Sequence, residues 1–407
     1  MAGRLNLAVT GIQDRWLTEE PQFSYFLSSY NRHSRFALEQ IESPFDGTLD
    51  FDNIIECRIP QNKGDLIRNF TLKVNLTDPT PDANVLRNSH QYVPSVCTRL
   101  VEYADLLIGG QTIERITGEY IYMHQQLNNT DDDVAQSLYF LNGHGNMLGY
   151  TTDYTYFLDL PFYFYRHPSL SIPICALTKQ QVEVRIKLRP LNKIVRDSHT
   201  DSVPANPVAK IKRISLDTEF VFVSEIERDY FKSRPLDYCI TQVQLSKFHM
   251  DGGQKTKSVM LNFKNPVKEL LYFSTLEVYE NTNKHLAMEV IENIELRFND
   301  NPVINADEKF STYEQPLLHY VNSPTVLGVT NSSITPYFGV YSFSDNPGAF
   351  YPTGQVNMSR ISHKLLTVTL AREGGPGDRR GARRWVQVYA VNYNILRIDG
   401  GLAGLKF

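Results

Sequence analysis

Apolar residues at every second position are the feature that most constrains the fold of this 407-residue chain. In residues 182–188 (VEVRIKL) each apolar residue alternates with a charged one. Residues 70–76 (FTLKVNL), 366–370 (LTVTL) and 385–391 (WVQVYAV) also carry apolar residues at alternate positions. A period of two is typical of strands in a sheet with one buried face. The pattern therefore predicts a chain built mainly from antiparallel β-sheets.

Turn sequences separate these segments, and helical patterns are scarce. Gly109-Gly110 and Asn142-Gly143 favour tight turns, because glycine tolerates positive φ. Helical periodicity is confined to residues 118–127, 133–140 and 224–232. The 23 Tyr and 22 Phe suit pleated, half-buried surfaces on which rings pack across strands. Many strands, frequent turns and few short helices together indicate an all-β protein made of antiparallel sandwiches.

The two halves of the chain also resemble each other. Three pairs of segments match, namely residues 182–186 with 366–370, 66–72 with 266–272, and 214–223 with 386–395. The offset between partners varies, which indicates that loops of different length were inserted in the two halves. Such self-similarity predicts a tandem duplication. A jelly roll, in which two Greek keys fold into an eight-stranded sandwich, fits each half.

The length of the chain supports two domains rather than one core. We expect an N-terminal arm over residues 1–24 and a first jelly roll over residues 25–223. A charged linker over residues 224–235 then leads into a second jelly roll with a C-terminal tail, residues 236–407.

Charge and cysteine usage exclude several classes of protein. A net charge of −4 argues against a general nucleic-acid coat or a polybasic membrane binder. The four cysteines form no C-x-x-C pair, so we expect free thiols in a reducing compartment. We find no secretory signal and no apolar run of the ~18–20 residues that a membrane span needs, and we therefore expect a soluble, unanchored protein.

Enzyme motifs are absent from the sequence, and we expect no catalytic residue, cofactor or metal. Gly143-His144-Gly145 with Gly149 lacks the spacing of a dinucleotide fingerprint and is interpreted as a turn. Residues 131–133 (DDD) lack the alternating oxygens and glycine of a calcium loop and are interpreted as a solvated loop. The sequons, of which Asn69 and Asn75 lie in or beside a strand, are interpreted as chance matches.

Two segments are candidate contacts with other molecules. The first is a glycine-rich loop whose arginines include Arg379, Arg380, Arg383 and Arg384. Such a loop faces either water, as a solubilising tip, or an acidic or anionic partner. The second is the N-terminal arm, whose aromatic residues include Trp16, Phe23, Phe26 and Tyr30. These rings require burial, either under their own domain or against a neighbour.

Both ends of the chain carry residues of a known family. The N-terminal set is Gln13-Asp14, Leu17-Thr18, Pro21-Gln22-Phe23, Phe26, Tyr30, Arg32, Phe36-Ala37 and Glu39. A later set is Pro352-Thr353-Gly354 followed by Asn357-Met358-Ser359-Arg360-Ile361. The last is residues 389–398 (YAVNYNILRI) with residues 400–405 (GGLAGL). Together these sets resemble the major capsid proteins of nucleocytoplasmic large DNA viruses. Met358 stands where the family usually has Phe, and the chain is shorter than many members.

The resemblance implies a double jelly roll that forms homotrimers, each presenting six sandwiches in a pseudo-hexagonal outline. Such capsomers tile an icosahedral shell around an internal membrane, with neighbouring capsomers, minor capsid proteins and penton proteins as partners. It implies a place in the virion after assembly in the host cytoplasm, no direct contact with nucleic acid, and no enzymatic activity. The alternative is a carbohydrate-binding or carbohydrate-active β-sandwich, which requires an aromatic cleft with two suitably separated carboxylates.

Overall fold

The computed structural model of the chain describes most of its length. Its described residues are 2–28, 30–80, 90–128, 141–143, 154–197, 199–200, 202–204, 207–289, 291–320, 338–370 and 382–407. The chain divides into two compact units, Met1–Arg35 and Phe36–Phe407. The first unit contains two short helices, α1 (Ala2–Ala8) and α2 (Ile12–Thr18).

In the described residues of the first part of the second unit there are ten strands and two α-helices. The strands are β1 (Phe36–Pro44), β2 (Ile54–Arg58), β3 (Leu66–Leu76), β4 (His90–Tyr92), β5 (Val101–Ile108), β6 (Gln111–Thr117), β7 (Tyr154–Asp159), β8 (Val182–Leu188), β9 (Val195–Asp197) and β10 (Ile211–Val223). The helices are α3 (Val96–Leu100) and α4 (Gly118–Asn128). Eight of these strands form two sheets, in the orders β1-β10-β3-β7 and β2-β8-β5-β6, and β4 pairs with β9.

The remainder begins with helix α5 (Glu225–Ser233). Its strands are β11 (Leu236–Met250), β12 (Thr256–Met260), β13 (Pro266–Leu276), β14 (Ile291–Phe298), β15 (Asn301–Asp307), β16 (Gly339–Ser342), β17 (Val356–Asn357), β18 (Lys364–Leu370), β19 (Arg384–Asp399) and β20 (Leu402–Leu405). A π-helical turn, Phe310–Glu314, leads into α6 (Gln315–His319). The main sheets have the orders β11-β19-β13-β16 and β12-β18-β14-β15.

The two halves share one topology. The short strands β4, β9, β17 and β20 lie outside the common pattern, and the other eight strands of each half can be counted from one to eight in chain order. In both halves one sheet then has the order 1-8-3-6 and the other has the order 2-7-4-5. This order is that of a jelly roll, so the chain is a double jelly roll as the sequence predicts. The three matched segment pairs lie in equivalent strands: β8 with β18, β3 with β13, and β10 with β19.

The duplication extends to the register between strands. Leu72 of β3 lies opposite Leu216 of β10, and Tyr272 of β13 lies opposite Val388 of β19. Because both members of each pair point into a core, the same faces are buried in the two sandwiches. Equivalent residues can therefore be assigned one by one across these strands.

Two predicted helices are confirmed, because residues 118–127 lie in α4 and residues 224–232 coincide with α5. The third predicted helix, residues 133–140, lies outside the described residues. All four cysteines are free thiols, as predicted. The pKa of Cys57, which is fully buried, is raised to about 12 by burial, so this thiol stays protonated and packs as an apolar group.

The C-terminal family motif shapes the connection that follows β16. Thr353 Oγ1 donates a hydrogen bond to the carbonyl of Asn346 at 2.8 Å and accepts one from its N–H at 3.0 Å. Gly354 has φ +144°, and a Cβ there would lie 2.8 Å from the carbonyl oxygen of Phe343. Met358 is fully buried in the core of the second sandwich. The motif therefore holds the loop after β16 in its conformation through Thr353 and Gly354, and contributes Met358 to the core of the second sandwich.

Candidate assembly surfaces

The two sandwiches start and finish at the same end, which we call the linker end. β1 begins at Phe36 opposite Val223, where β10 ends. β11 begins at Leu236 opposite Ile398, close to the end of β19. Because α5 is only nine residues long, it joins these two corners directly. At the other end of the strands, the loop end, Met250 lies opposite Arg384.

Helix α5 is fastened to the first sandwich by an ion pair. Arg228 donates two hydrogen bonds to the Asp65 carboxylate, at 2.7 and 3.0 Å, and the N–H of Val223 donates a third at 3.0 Å. Burial would raise the pKa of Asp65, but these hydrogen bonds outweigh it and hold the pKa below its ordinary value. The helix begins with Glu225 and carries Lys232 in its last turn, which suits the helix dipole.

The second sandwich packs one sheet face against the first sandwich. The outward side chains Leu271, Val340 and Tyr389 of sheet β11-β19-β13-β16 are at most 2% exposed and belong to the same apolar cluster as the first core. Two hydrogen bonds cross this contact: Tyr389 OH lies 3.0 Å from Thr117 Oγ1, and Gln242 Nε2 donates to the carbonyl of Ile113 at 2.6 Å. The sheet therefore covers β6, and its Tyr389 ring lies 6.4 Å, between centroids, from that of Tyr120 at the start of α4.

A buried arginine connects the two sandwiches near their loop end. Arg189 pairs with Glu119 of α4 and lies 2.6 Å from His285 Nε2. An arginine only donates, so this Nε2 accepts and Nδ1 carries the proton, which points to the carbonyl of Thr282 at 3.3 Å. Burial and the adjacent Arg189 lower the pKa of His285, which keeps the ring neutral. The three side chains form a fixed joint between the sandwiches.

A second polar cluster is buried deeper between the sandwiches. Glu114 of β6 accepts from the N–H of Tyr163 at 2.8 Å, and burial raises its pKa to about 8. Lys268 of β13 donates to the carbonyl of Pro347 at 2.6 Å and lies 3.3 Å from Glu269, while burial lowers its pKa to about 8. Both groups are almost fully enclosed. Near pH 7 Glu114 is therefore mainly protonated, whereas Lys268 keeps most of its charge beside Glu269, so the cluster combines hydrogen bonds with one ion pair.

The structure changes the predicted position of one of the four candidate arginines of the glycine-rich loop. Arg379 and Arg380 lie outside the described residues. Arg383 is exposed just before β19. Arg384 is not a loop residue as predicted: it is the first residue of β19, is 9% exposed, and its guanidinium pairs with Glu289. Pairing with Met250 fixes the backbone of Arg384 in the strand, and its charge is balanced by Glu289 within the same chain.

The aromatic residues of the N-terminal unit are displayed on its surface. Trp16 in α2 and Phe23, Phe26 and Tyr30 beyond it are all exposed, with Phe26 at 95%. Phe23 makes an edge-to-face ring contact with Tyr25, at 5.0 Å between centroids. Side chains this apolar are typical of a surface that another molecule covers.

The remaining sequence candidates lie either outside the described residues or within a strand. The acidic triplet and His144, Gly145 and Gly149 lie outside the described residues. Asn69 and Asn75 lie within β3. In the part of the chain that the structure describes, no three His, Cys, Asp or Glu residues are grouped as metal ligands. Over the same residues, no helix combines the length and apolarity needed to cross a bilayer.

The residues that join the sandwiches were not identified from the sequence. Lys268 and Glu269 interrupt the largely apolar strand β13, and that interruption was the available signal; Glu114 lies in the mixed strand β6 and gave none. Their partners lie more than 40 residues away in the chain, so only the fold brings them together.

The duplicated jelly roll, with the C-terminal motif of residues 352–361 after its strand β16, defines the class as the double jelly-roll proteins. Residues 24–226 match the family model for the major capsid protein N-terminus, and residues 227–404 match that for the large eukaryotic DNA virus major capsid protein. The chain belongs to the major capsid proteins of large eukaryotic DNA viruses. It is accordingly a structural component of a virion capsid, a function for which its relatives need no catalysis.

Individual relatives agree over the full length. The major capsid protein of Pyramimonas orientalis virus is 28% identical, covering 100% of this chain and 99% of that protein. The major capsid protein of Paramecium bursaria Chlorella virus 1 is 25% identical, with 100% of both chains covered. The crystal structure of PBCV-1 VP54 superposes with a TM-score of 0.76 at 20% identity, covering 94% of this chain and 100% of that one.

Proposed function

We propose that this capsid protein forms homotrimers, each with six sandwiches in a pseudo-hexagonal outline, and that these capsomers tile an icosahedral shell. The observation that carries the proposal is the shared strand order of the two sandwiches, which also start and finish at one end. Three such chains place six similar sandwiches side by side with the same end upward. The family membership favours this shell function over the carbohydrate-binding alternative.

The proposal extends to organisation and partners. Residues 1–24 act as an arm, residues 25–223 and 236–407 as the two jelly rolls, and residues 224–235 as their linker. Besides its own copies and neighbouring capsomers, the protein contacts minor capsid and penton proteins. These bring it near the internal membrane during assembly in the host cytoplasm. The net charge of −4 supports a shell without direct nucleic-acid contact.

Mass photometry of the purified full-length protein tests the trimer. We expect a dominant species at three times the monomer mass of 46.7 kDa. A protein that stays monomeric at every concentration, and also after refolding, would contradict the proposal.

A further inference from the structure

Arg166 joins the two sandwiches through only part of its guanidinium group. It lies in the 3₁₀ turn Tyr163–Arg166, on the connection between β7 and β8 of the first sandwich. Its Nη1 donates a hydrogen bond at 3.1 Å to the carbonyl of Ala349, on the connection that follows β16 of the second sandwich. Its Nε and Nη2 are shielded from water, yet neither has a hydrogen-bond partner among the described residues. One edge of the guanidinium is therefore enclosed and unused.

That edge is a part of arginine that binds anions well. Nε–H and one Nη2–H point in the same direction, so that they hold an anion between them. A shielded polar group without a partner is unfavourable, and the penalty is larger for a charged group. Arginine cannot relieve this penalty by losing its proton. The edge of Arg166 therefore needs an acceptor that the described part of the chain does not supply.

The ionisable groups around Arg166 leave its charge unbalanced. Lys268 lies 3.3 Å from Glu269, and these two charges compensate each other. The charge of Arg166 acts on Glu114, but burial outweighs it and raises the pKa of this carboxyl to about 8. Near pH 7 the carboxyl is therefore mainly protonated and contributes little negative charge. In this set of described groups, two cations face only one full anion.

Two further side chains respond to the same positive charge. Burial lowers the pKa of His124 to about 3, and the charges of Lys268 and Arg166 contribute to this, so the ring is neutral. Tyr393 is 6% exposed, and its hydroxyl is a second shielded group without a hydrogen-bond partner among the described residues. Burial raises the pKa of Tyr393, although the charge of Arg166 acts in the opposite direction. The hydroxyl stays protonated and is able to donate to an anion.

We propose that a chloride-sized monovalent anion binds the Nε–Nη2 edge of Arg166 between the sandwiches. A water molecule would satisfy the hydrogen bonds alone, whereas an anion also balances the charge. A single-atom anion needs little more room than that water. Arg166 belongs to the first sandwich, and Lys268 and Tyr393 belong to the second. The anion therefore binds only when the sandwiches are packed together, and it stabilises their contact by mass action.

Diffraction from crystals of the full-length protein grown in sodium bromide tests the position of the site. Bromide replaces chloride and scatters anomalously at its absorption edge. We expect an anomalous difference peak within hydrogen-bonding distance of both Nε and Nη2 of Arg166. A well-ordered Arg166 without such a peak would show that water fills the position, and the proposal would be wrong. Because this experiment uses wild type, it does not depend on the folding of any variant.

Thermal unfolding measures what the anion contributes to stability. We expect wild type to unfold about 2 °C higher in sodium chloride than in sodium gluconate at equal ionic strength, because gluconate is too large for the site. Arg166→Gln removes the charge and should abolish this difference. Arg234→Gln, which removes an exposed arginine at the end of α5, is the matched control and should keep it.

Circular dichroism establishes that both variants are folded. Equal unfolding temperatures of wild type in the two salts would overturn the proposal. A difference between the salts that persists in folded Arg166→Gln would also overturn it, since the anion would then act elsewhere.

Discussion

At the scale of single residues, the charged groups that matter most are those that the fold encloses. Asp65 is 8% exposed at its side chain and receives three hydrogen bonds, two from Arg228 and one from Val223. Because Arg228 belongs to α5, this carboxylate ties the connection between the sandwiches to the first of them. Its ionisation therefore contributes to the stability of the linker end.

The lowered pKa of Asp65 predicts a pH-dependent effect of Asp65→Asn. In the unfolded chain the carboxyl titrates near its ordinary value of about 4, whereas in the folded chain it titrates lower. Its stabilisation is therefore complete above pH ~4 and is lost as pH falls through the folded pKa. We expect the free energy of unfolding of the variant to be about 1 kcal/mol lower than that of wild type at pH 7. This value is modest because Arg228 is partly open to solvent.

Denaturant unfolding from pH 3 to pH 7 measures this difference. Wild type and Asp65→Asn should converge towards the acidic end of the series. Asp229→Asn, on the exposed face of the same helix and beyond its first turn, is the matched control and should change little at either pH. If the free energies of unfolding of wild type and Asp65→Asn differ equally at pH 3 and at pH 7, Asp65 acts through packing rather than through its charge.

The residue scale is also where sequence reasoning missed most. A period-two pattern places alternate residues in a core and assigns the rest to solvent. Glu114 and Lys268 break this scheme, since a second sandwich covers the side that would otherwise face water. Long-range packing determines such positions, and one sequence holds no record of which two surfaces meet. The Arg189–His285 contact escaped prediction for the same reason.

At the scale of elements, prediction was more successful because strands carry their own signal. The matched segments proved to be equivalent strands with the same faces buried. The start of β19 was misplaced, however. Composition assigned Arg384 to a basic loop, whereas pairing with both Met250 and Leu276 makes it a strand residue. Strand ends are determined by neighbouring strands, which local composition does not reveal.

The same boundary gives a prediction that distinguishes adjacent arginines. We expect Arg379→Gln, Arg380→Gln and Arg383→Gln together to weaken lattice assembly while leaving thermal unfolding unchanged. Exposed charges act over roughly 10 Å at 0.1 M salt, so the deficit should be largest at low salt. Arg384→Gln should lower the unfolding temperature and leave assembly unchanged, because it removes the buried guanidinium that pairs with Glu289.

Light scattering of capsomers across a salt series, together with differential scanning calorimetry, tests both expectations. If the triple variant assembles like wild type even at low salt, the loop is a solubilising tip. If Arg384→Gln unfolds like wild type, its pairing with Glu289 contributes no stability.

At the scale of the whole molecule, the core residues that the structure describes lie in the unit Phe36–Phe407, whereas the described residues of the unit Met1–Arg35 form two short helices and carry exposed aromatic side chains. A unit of this kind has no core of its own to stabilise. The separation predicts that folding and assembly depend on different parts of the chain, with the arm serving assembly.

Removal of residues 1–24 tests this division of roles. We expect the truncated protein to unfold at the wild-type temperature, because every core residue remains, and to assemble poorly, because the aromatic contacts are gone. Trp16→Ser with Phe26→Ser should reproduce the assembly defect at full length, since it removes apolar area without shortening the chain. The exposed Gln13→Ser is the matched control. Calorimetry and electron microscopy of assembled lattices report the two properties separately, and normal lattices from the truncated protein would exclude an assembly role for the arm.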